Sequence, residues 1–473
     1  MQRLSGIDST FLSIETPSHL MHVSTVAVLD PRDMEGGYSF EKVRALVASR
    51  LPGIPLFRRR LVEVPFNLHF PVWVEDPNFD LDYHIRRVAA PAPGTMAELC
   101  EVAGDFVSRQ LDRTRPLWEM QVVEGLEGGN IGLLVKVHHS MIDGVSGAEL
   151  IVHLFDLEPI AAPLEVPPDE REVEHVPSDL ELVAYAGRSL ASNPARLAKV
   201  VPATVGSVVS VVRRRRSGTG GGMAAPFTAP RTPFNAAITP HRKVAVANLV
   251  LEDVRHVKRI FGTTVNDVVL ALCAGALRAY LDKLGQLPEQ PLVSVVPISV
   301  RGEGSDAASS NQVSAMFVSL ATDIDDPVAR LQSIAEGTRG AKDEHQAIGA
   351  SMLQDWAEFA APALFTRASR LYSSMKLADR HRPIHNVIIS NVPGPQFPLY
   401  LAGAKLLMLC PLGPVMEGAG LNITVLSYQA SIDVGLIACR ELMPDLDDLA
   451  AAFVEAMAEL KAAADAAEAR LSR

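Results

Sequence analysis

Several large classes of protein are excluded by what this sequence lacks. The four cysteines, Cys100, Cys273, Cys410 and Cys439, lie far apart with no CxxC pair. That spacing supports neither a zinc knuckle nor a disulfide framework and fits a reducing compartment. No window of about 20 unbroken apolar residues occurs, so no spanning helix is expected. The opening MQRLSGIDSTFLSIETP has neither a long apolar core nor a small-residue cleavage site, so no secretory signal is expected either. Positive charge is in deficit: 44 Lys and Arg stand against 55 Asp and Glu, for a formal net charge of −11. A general nucleic-acid binder normally shows a basic face, so nucleic acid is not an expected partner. There is no GxSxG elbow, no GxxxxGK[ST] phosphate loop, no Rossmann glycine fingerprint and no repeat at solenoid periods. What is present is a chain of 473 residues, 48% hydrophobic and 21% charged, long enough to bury the cores of two lobes.

Strand and helix patterns alternate along it. HVSTVAVLD, 22–30, reads as a strand from its β-branched content. SFEKVRALVASRL, 39–51, and TMAELCEVAGDFVSRQL, 95–111, carry apolar residues at helical spacing behind Ser39 and Thr95, which suit N-caps. WEMQVVEGL, 118–126, and NIGLLVKVHH, 130–139, read as strands joined by the hairpin chemistry of EGGN, and helix is expected again over 146–157. Residues 158–177 turn to proline and acid, a linker composition. A helical stretch broken by Pro194 and Pro202 follows, then the glycine-rich SGTGGGM of 217–223. Beyond it the patterns predict a strand and helix over 243–262, a long buried helix over 264–285, and strands over 291–301 and 385–395. A hairpin over 422–439 and an Ala-rich amphipathic helix from about 445 close the chain. The pattern predicts two α/β or α+β lobes, divided as 1–175, a helical crossover 176–240, and 241–473.

The stretch VKVHHSMIDGVSG, 135–147, holds the chemistry. In a persisting strand His138 and His139 point to opposite faces, so one can pack while the other meets a cleft. Gly144 permits the turn that follows. A neutral imidazole held at a strand end can take a proton from a positioned hydroxyl. Asp143 could orient a histidine directly or fix the loop through an arginine; the tight turn favours the second. A metal site and a purely structural pair remain alternatives at this point, although no HExxH helix and no further nearby Cys or His supports the metal.

HHSMIDG also resembles the HHxxxDG motif of the CoA-dependent acyltransferase superfamily, which includes chloramphenicol acetyltransferase, carnitine acyltransferases and peptide-synthetase condensation domains. Nearly the whole chain resembles the bacterial wax ester synthase/diacylglycerol acyltransferase family. LSGIDSTFLSIETPSHLMHV, 4–23, is similar to that family's start. RPLWEM, 115–120, is similar to its PLW motif, VND, 265–267, to its ND motif, and NVPGP, 391–395, to a further one, all in the expected order.

The resemblance implies an α/β fold of two chloramphenicol-acetyltransferase-like lobes with mixed sheets and an active-site tunnel between them. It implies transfer of a long acyl chain from acyl-CoA to diacylglycerol or a fatty alcohol, with His139 as general base and with no metal and no cofactor. His138 is expected to pack, and Asp143 to hold its loop through an arginine, for which Arg301 is the candidate. Asn266 and Asn391 are candidate oxyanion donors, with helix capping and turn stabilisation as the competing roles. Pro116, Leu117 and Trp118 are expected to shape the tunnel wall or the core. Because the products are water-insoluble, a cytoplasmic location on the inner face of the cell membrane or on lipid droplets is expected. The segment 197–216, ending in Arg213, Arg214, Arg215 and Arg216, is the expected contact. A carrier-protein-dependent condensation-type enzyme and an inactive lipid-binding protein are the rival readings.

Overall fold

Runs of β-branched and aliphatic residues build two mixed sheets, and one strand from the C-terminal half of the chain is exchanged into the first of them. The structure, a computed structural model, describes residues 2–65, 68–141, 153–160, 177–184, 228–299, 313–348 and 362–471. The strands are β1 (Gln2–Arg3), β2 (His22–Asp30), β3 (Arg59–Val62), β4 (Val72–Glu75), β5 (Ile85–Ala89), β6 (Trp118–Glu124), β7 (Ile131–His138) and β8 (Arg242–Val250). They continue with β9 (Val293–Ser299), β10 (Val313–Ser319), β11 (Val387–Pro393), β12 (Tyr400–Leu401), β13 (Ala404–Leu412), β14 (Leu421–Tyr428) and β15 (Ser431–Cys439). The helices are α1 (Gly6–Ile14), α2 (Phe40–Arg50), α3 (Leu81–His84), α4 (Met96–Val107), α5 (Leu251–Phe261), α6 (Val265–Lys283), α7 (Pro327–Ile348), α8 (Pro362–Ser374) and α9 (Leu446–Leu471).

Helix starts follow their caps. Ser39 accepts from the Lys42 N–H ahead of α2, and Thr95 with Glu98 forms a full capping box ahead of α4. Thr264 with Asp267 does the same ahead of α6. The EGGN hairpin turns through Gly128 and Gly129, whose φ angles of +71° and +73° a bulkier residue would resist. The helix expected over 146–157 and the stretch 158–227 lie largely outside the described residues.

The first lobe is the sheet β12–β13–β2–β7–β6–β5, and the second is β10–β9–β11–β14–β15–β8. Each mixes parallel and antiparallel pairs: β5 runs parallel to β6, and β11 lies parallel to both β9 and β14. Helices α5, α6 and α9 pack over the second sheet, and α6 is buried in its core. Three small strands, β1, β4 and β3, form a separate sheet.

One strand crosses the expected division at 240. Strand β13 comes from the C-terminal half, yet pairs antiparallel with β2 of the first lobe, Lys405 opposite Asp30 through Leu412 opposite Ser24. A strand's apolar pattern reports its burial and not its partner, so the sequence could not reveal this exchange. A bulge between Leu406 and Met408 interrupts that pairing. Beside it, the buried Asp433 carboxylate of β15 accepts the Leu409 N–H at 3.0 Å. Burial pushes the Asp433 carboxyl up, while hydrogen bonds from Leu409, Asn248 and Ser431 oppose the shift. One hydrophobic cluster then draws on both lobes, with Val26, Leu99, Phe106 and Leu134 packed with Val244, Met408, Cys410 and Ile437.

Gly435 marks the closest approach of the two sheets: a Cβ there would lie 2.0 Å from the Pro411 carbonyl oxygen. Gly435→Ala is therefore expected to lower stability by about 2–4 kcal/mol, read as a fall in the urea unfolding midpoint. An unchanged midpoint would show that the exchanged strand shifts freely.

Candidate active site

Strand β7 is buried along its whole length, which is why it reads as a nearly unbroken apolar run, ILE-GLY-LEU-LEU-VAL in its first five positions. Its two flanking strands hold on to the histidine pair at its end. The His138 N–H donates to the Leu117 carbonyl at 2.9 Å, on the β6 side. The His139 N–H donates to the Met21 carbonyl at 2.8 Å, on the β2 side. Successive N–H groups leave in opposite directions, as they do in a strand, although His139 already opens a 3-10 turn that runs to Met141.

The two rings meet different surroundings. His138 is 1% exposed. Its Nδ1 accepts the Ser140 N–H at 3.1 Å and lies 2.7 Å from the Ser140 hydroxyl. A nitrogen that accepts a main-chain N–H carries no proton, so the neutral ring keeps its proton on Nε2. That nitrogen faces the buried Glu15 carboxylate at 3.7 Å, too long for a hydrogen bond. Glu15 is held from its other side by Arg113, at 2.6 Å and 3.1 Å, and Arg113 also donates to the Leu12 carbonyl at the end of α1 at 2.7 Å. Burial, then the Arg113 charge, pushes the His138 pKa well below the usual imidazole value.

His139 is only partly buried. Its ring stacks on Phe11 of α1, with centroids 4.1 Å apart and planes at 38°. Its Nδ1 is buried and has no hydrogen-bond partner among the described residues. Burial lowers its pKa to about 4; its own main-chain carbonyl opposes the shift. At neutral pH the ring is thus uncharged, with capacity to accept a proton. Two more histidines stand close behind: His22 pairs with His138 across the β2–β7 ladder, and its Nε2 lies 2.9 Å from the Val107 carbonyl. The pKa of His22 is pushed well below its usual value by burial and by buried Lys136, and that of His19 to about 4 by burial and by Arg242.

With this geometry in hand, the chain can be set beside known proteins. Residues 4–269 match the family described as wax ester synthase/diacylglycerol acyltransferase catalytic domain, and residues 309–461 match its C-terminal domain. The chain belongs to the wax ester synthase/diacylglycerol acyltransferase family. A Mycobacterium tuberculosis protein, provisionally named a diacylglycerol O-acyltransferase, is 44% identical over 98% of this chain and 91% of its own length. A second from that species, similarly named, is 36% identical over 98% of both chains. Among solved structures, the wax ester synthase/diacylglycerol acyltransferase of Marinobacter aquaeolei superposes with a TM-score of 0.69 at 30% identity, covering 98% of this chain and all of that one. The first condensation domain of the CDA synthetase superposes with a TM-score of 0.53 at 15% identity, over 98% and 96% of the two chains, a likeness of fold alone.

The family motifs fall as follows. Pro116, Leu117 and Trp118 are buried, Leu117 and Trp118 in the first-lobe core. Besides the Leu117 carbonyl that receives His138, Trp118 Nε1 donates to the Phe57 carbonyl at 2.8 Å, and its ring stacks on His84 and Phe57. The ND and NVPGP motifs meet: Asn391 Nδ2 donates to Asn266 Oδ1 at 3.4 Å, both residues partly exposed. Capping, one of the roles expected of Asn266, is performed instead by Thr264 and Asp267, and Asp267 accepts from the Thr338 hydroxyl at 2.7 Å as well. Asp143, Gly144, Arg301 and Arg213 to Arg216 lie outside the described residues. Among the described residues, no group of three His, Cys, Asp or Glu side chains is placed to hold a metal ion. Phe11, Glu15 and Arg113 were not expected at the site. The first two lie in the opening LSGIDSTFLSIETPSHLMHV, the one signal that could have pointed to them.

Two outcomes are expected from this arrangement. Arg113→Met leaves the Glu15 carboxylate buried without its cation and should cost roughly 2–4 kcal/mol, most of it regained when Glu15→Gln is added; urea unfolding of the two variants measures both. Acid stability gives the second. His19, His22, His84, His138, His139 and His385 all have lowered pKa values in the folded chain. The unfolded chain binds their protons first, so no penalty exists above pH 6.5 and one grows as pH falls from 6.5 to about 4. The unfolding free energy from urea titration should drop across that window, by about 1.4 kcal/mol per pH unit for each proton excluded; a flat profile there would contradict the neutral cluster.

Proposed function

We propose that this chain transfers a long-chain acyl group from acyl-CoA to the hydroxyl of diacylglycerol, forming triacylglycerol, and accepts fatty alcohols as a second class of acceptor, forming wax esters. The observation that carries this reading is the His139 ring: neutral, partly open, stacked on Phe11 and with a buried nitrogen that no described group occupies. Family membership and the names of the mycobacterial relatives support the choice of substrates.

The ring of His139 takes the proton of the acceptor hydroxyl as its oxygen attacks the thioester carbonyl. The tetrahedral intermediate collapses by breaking the carbon–sulfur bond, and the imidazolium returns the proton to the departing CoA sulfur. Atoms and charge balance without an acyl-enzyme, a metal or a cofactor. A low basicity suits the second half of this cycle, because an imidazolium formed in a desolvated site gives its proton back readily. His138 acts by position: its ring, tied to Ser140 and facing Glu15, braces the turn on which His139 sits. The paired side chains of Asn266 and Asn391 present an amide donor that suits the oxyanion. Acyl-CoA and acceptor reach the ring along a tunnel between the lobes. An enzyme with insoluble product works at a lipid surface, and we place it on the inner face of the cell membrane or on lipid droplets.

Purified protein given labelled long-chain acyl-CoA, with diacylglycerol and a fatty alcohol in competition and no carrier protein, is expected to form labelled triacylglycerol. His139→Ala should lower kcat/KM by about 10²–10⁴-fold with an unchanged melting profile. Turnover retained in that variant would remove His139 as the base, and a requirement for a carrier protein would make the enzyme condensation-like.

A further inference from the structure

Although the chain carries a formal net charge of −11, one part of its described surface has the opposite character. Helix α8 packs against α1, the helix whose Phe11 stacks on His139 at 4.1 Å. Its inner side is tied down, with the Ser373 hydroxyl donating to Glu417 at 2.5 Å and the Tyr372 hydroxyl 2.6 Å from His381 Nε2. Its outer side carries Leu371, 57% exposed, and Met375, 44% exposed. The Met375 N–H still donates to the Leu371 carbonyl at 3.0 Å, so helical spacing persists and the two apolar side chains lie next to each other. Arg367, one turn before Leu371, and Arg370, immediately before it, are exposed, and Lys376 and Arg380 follow, exposed as well. None of these four cations is ion-paired among the described residues. The exposed acid among them, Asp379, is engaged by the Ala237 N–H at 2.7 Å.

We propose that this face docks the protein on an anionic phospholipid surface, with Leu371 and Met375 entering the headgroup region and the four cations meeting the phosphates. Two adjacent exposed apolar side chains with exposed cations before and after them in the chain are the composition an interfacial helix uses. The acidity of the rest of the chain does not forbid it. At physiological salt, charges more than about 8 Å apart are largely screened, so the residues that touch the surface decide. Docking here sets the helix under His139 one layer from the lipid. The inference rests on the acyl-transfer reading only in taking its acceptor from that lipid.

The test is co-sedimentation of the full chain with phosphatidylcholine vesicles, with and without phosphatidylglycerol. The wild type should bind the anionic vesicles and lose them at high salt. Two double variants, Leu371→Gln with Met375→Gln and Arg367→Glu with Arg370→Glu, should each lower the bound fraction on the order of tenfold with unchanged melting profiles, since all four side chains are exposed. In both, transfer to diacylglycerol carried in vesicles should fall, while transfer to diacylglycerol dispersed in detergent stays at the wild-type rate. Wild-type binding that ignores phosphatidylglycerol and salt, or double variants that bind as the wild type does, would overturn the proposal. Absence of any transfer in detergent would instead strike the acyl-transfer reading and leave the docking result to stand or fall by itself.

Discussion

Two main-chain hydrogen bonds govern this site. His138 gives its N–H to Leu117 and His139 gives its N–H to Met21, so the neighbours of β7 on both sides hold the backbone of the pair. A side chain at the end of a clamped strand has few ways to move, yet His139 stands where the sheet stops and is only partly buried. The RPLW segment and the opening segment, far apart in sequence, are therefore parts of one clamp. Loss of either carbonyl's position would tilt the rings before any side-chain contact changed.

The clamp depends in turn on the lobes being joined firmly. The exchanged strand β13 lies against β2, so the strand that supplies Met21's neighbourhood is itself sandwiched between β7 and a strand from the other half of the chain. The Asp433 carboxylate on the Leu409 N–H, the Gly435 approach to Pro411 and the shared apolar cluster all lie at this junction. A buried carboxylate such as Asp433 is weak support for stability, but it specifies which N–H the second lobe must meet. Register is thereby set between two sheets that share no ladder.

Much of this was legible in the sequence wherever the determinant was local. Ser39 and Thr95 announced their helices, the EGGN turn announced the β6–β7 hairpin, and HHSMIDG pointed to the candidate site, whereas the Thr264 cap of α6 was passed over for Asn266. Determinants that depend on chain topology were not legible. Glu15 and Arg113 are 98 positions apart, and Asn266 and Asn391 are 125 apart; composition and spacing cannot pair such residues. The AKLLMLCPL run was not among the expected strands, and nothing in it names β2 as its partner. No helix was expected over the segment that forms α1, and the contact of Phe11 with an imidazole follows only from how α1 packs.

The chemical consequence of the clamp is a partly buried ring that stays uncharged at neutral pH. Phe11 lies on the face of the His139 ring, and burial is what disfavours a positive charge on it. The most direct measurement is a nitrogen NMR titration of histidine-labelled protein, with His139→Gln to identify the signal. The ring of His139 is expected to stay neutral from neutral pH down to about 4. Protonation near pH 6.5, as for a histidine in water, would contradict the account.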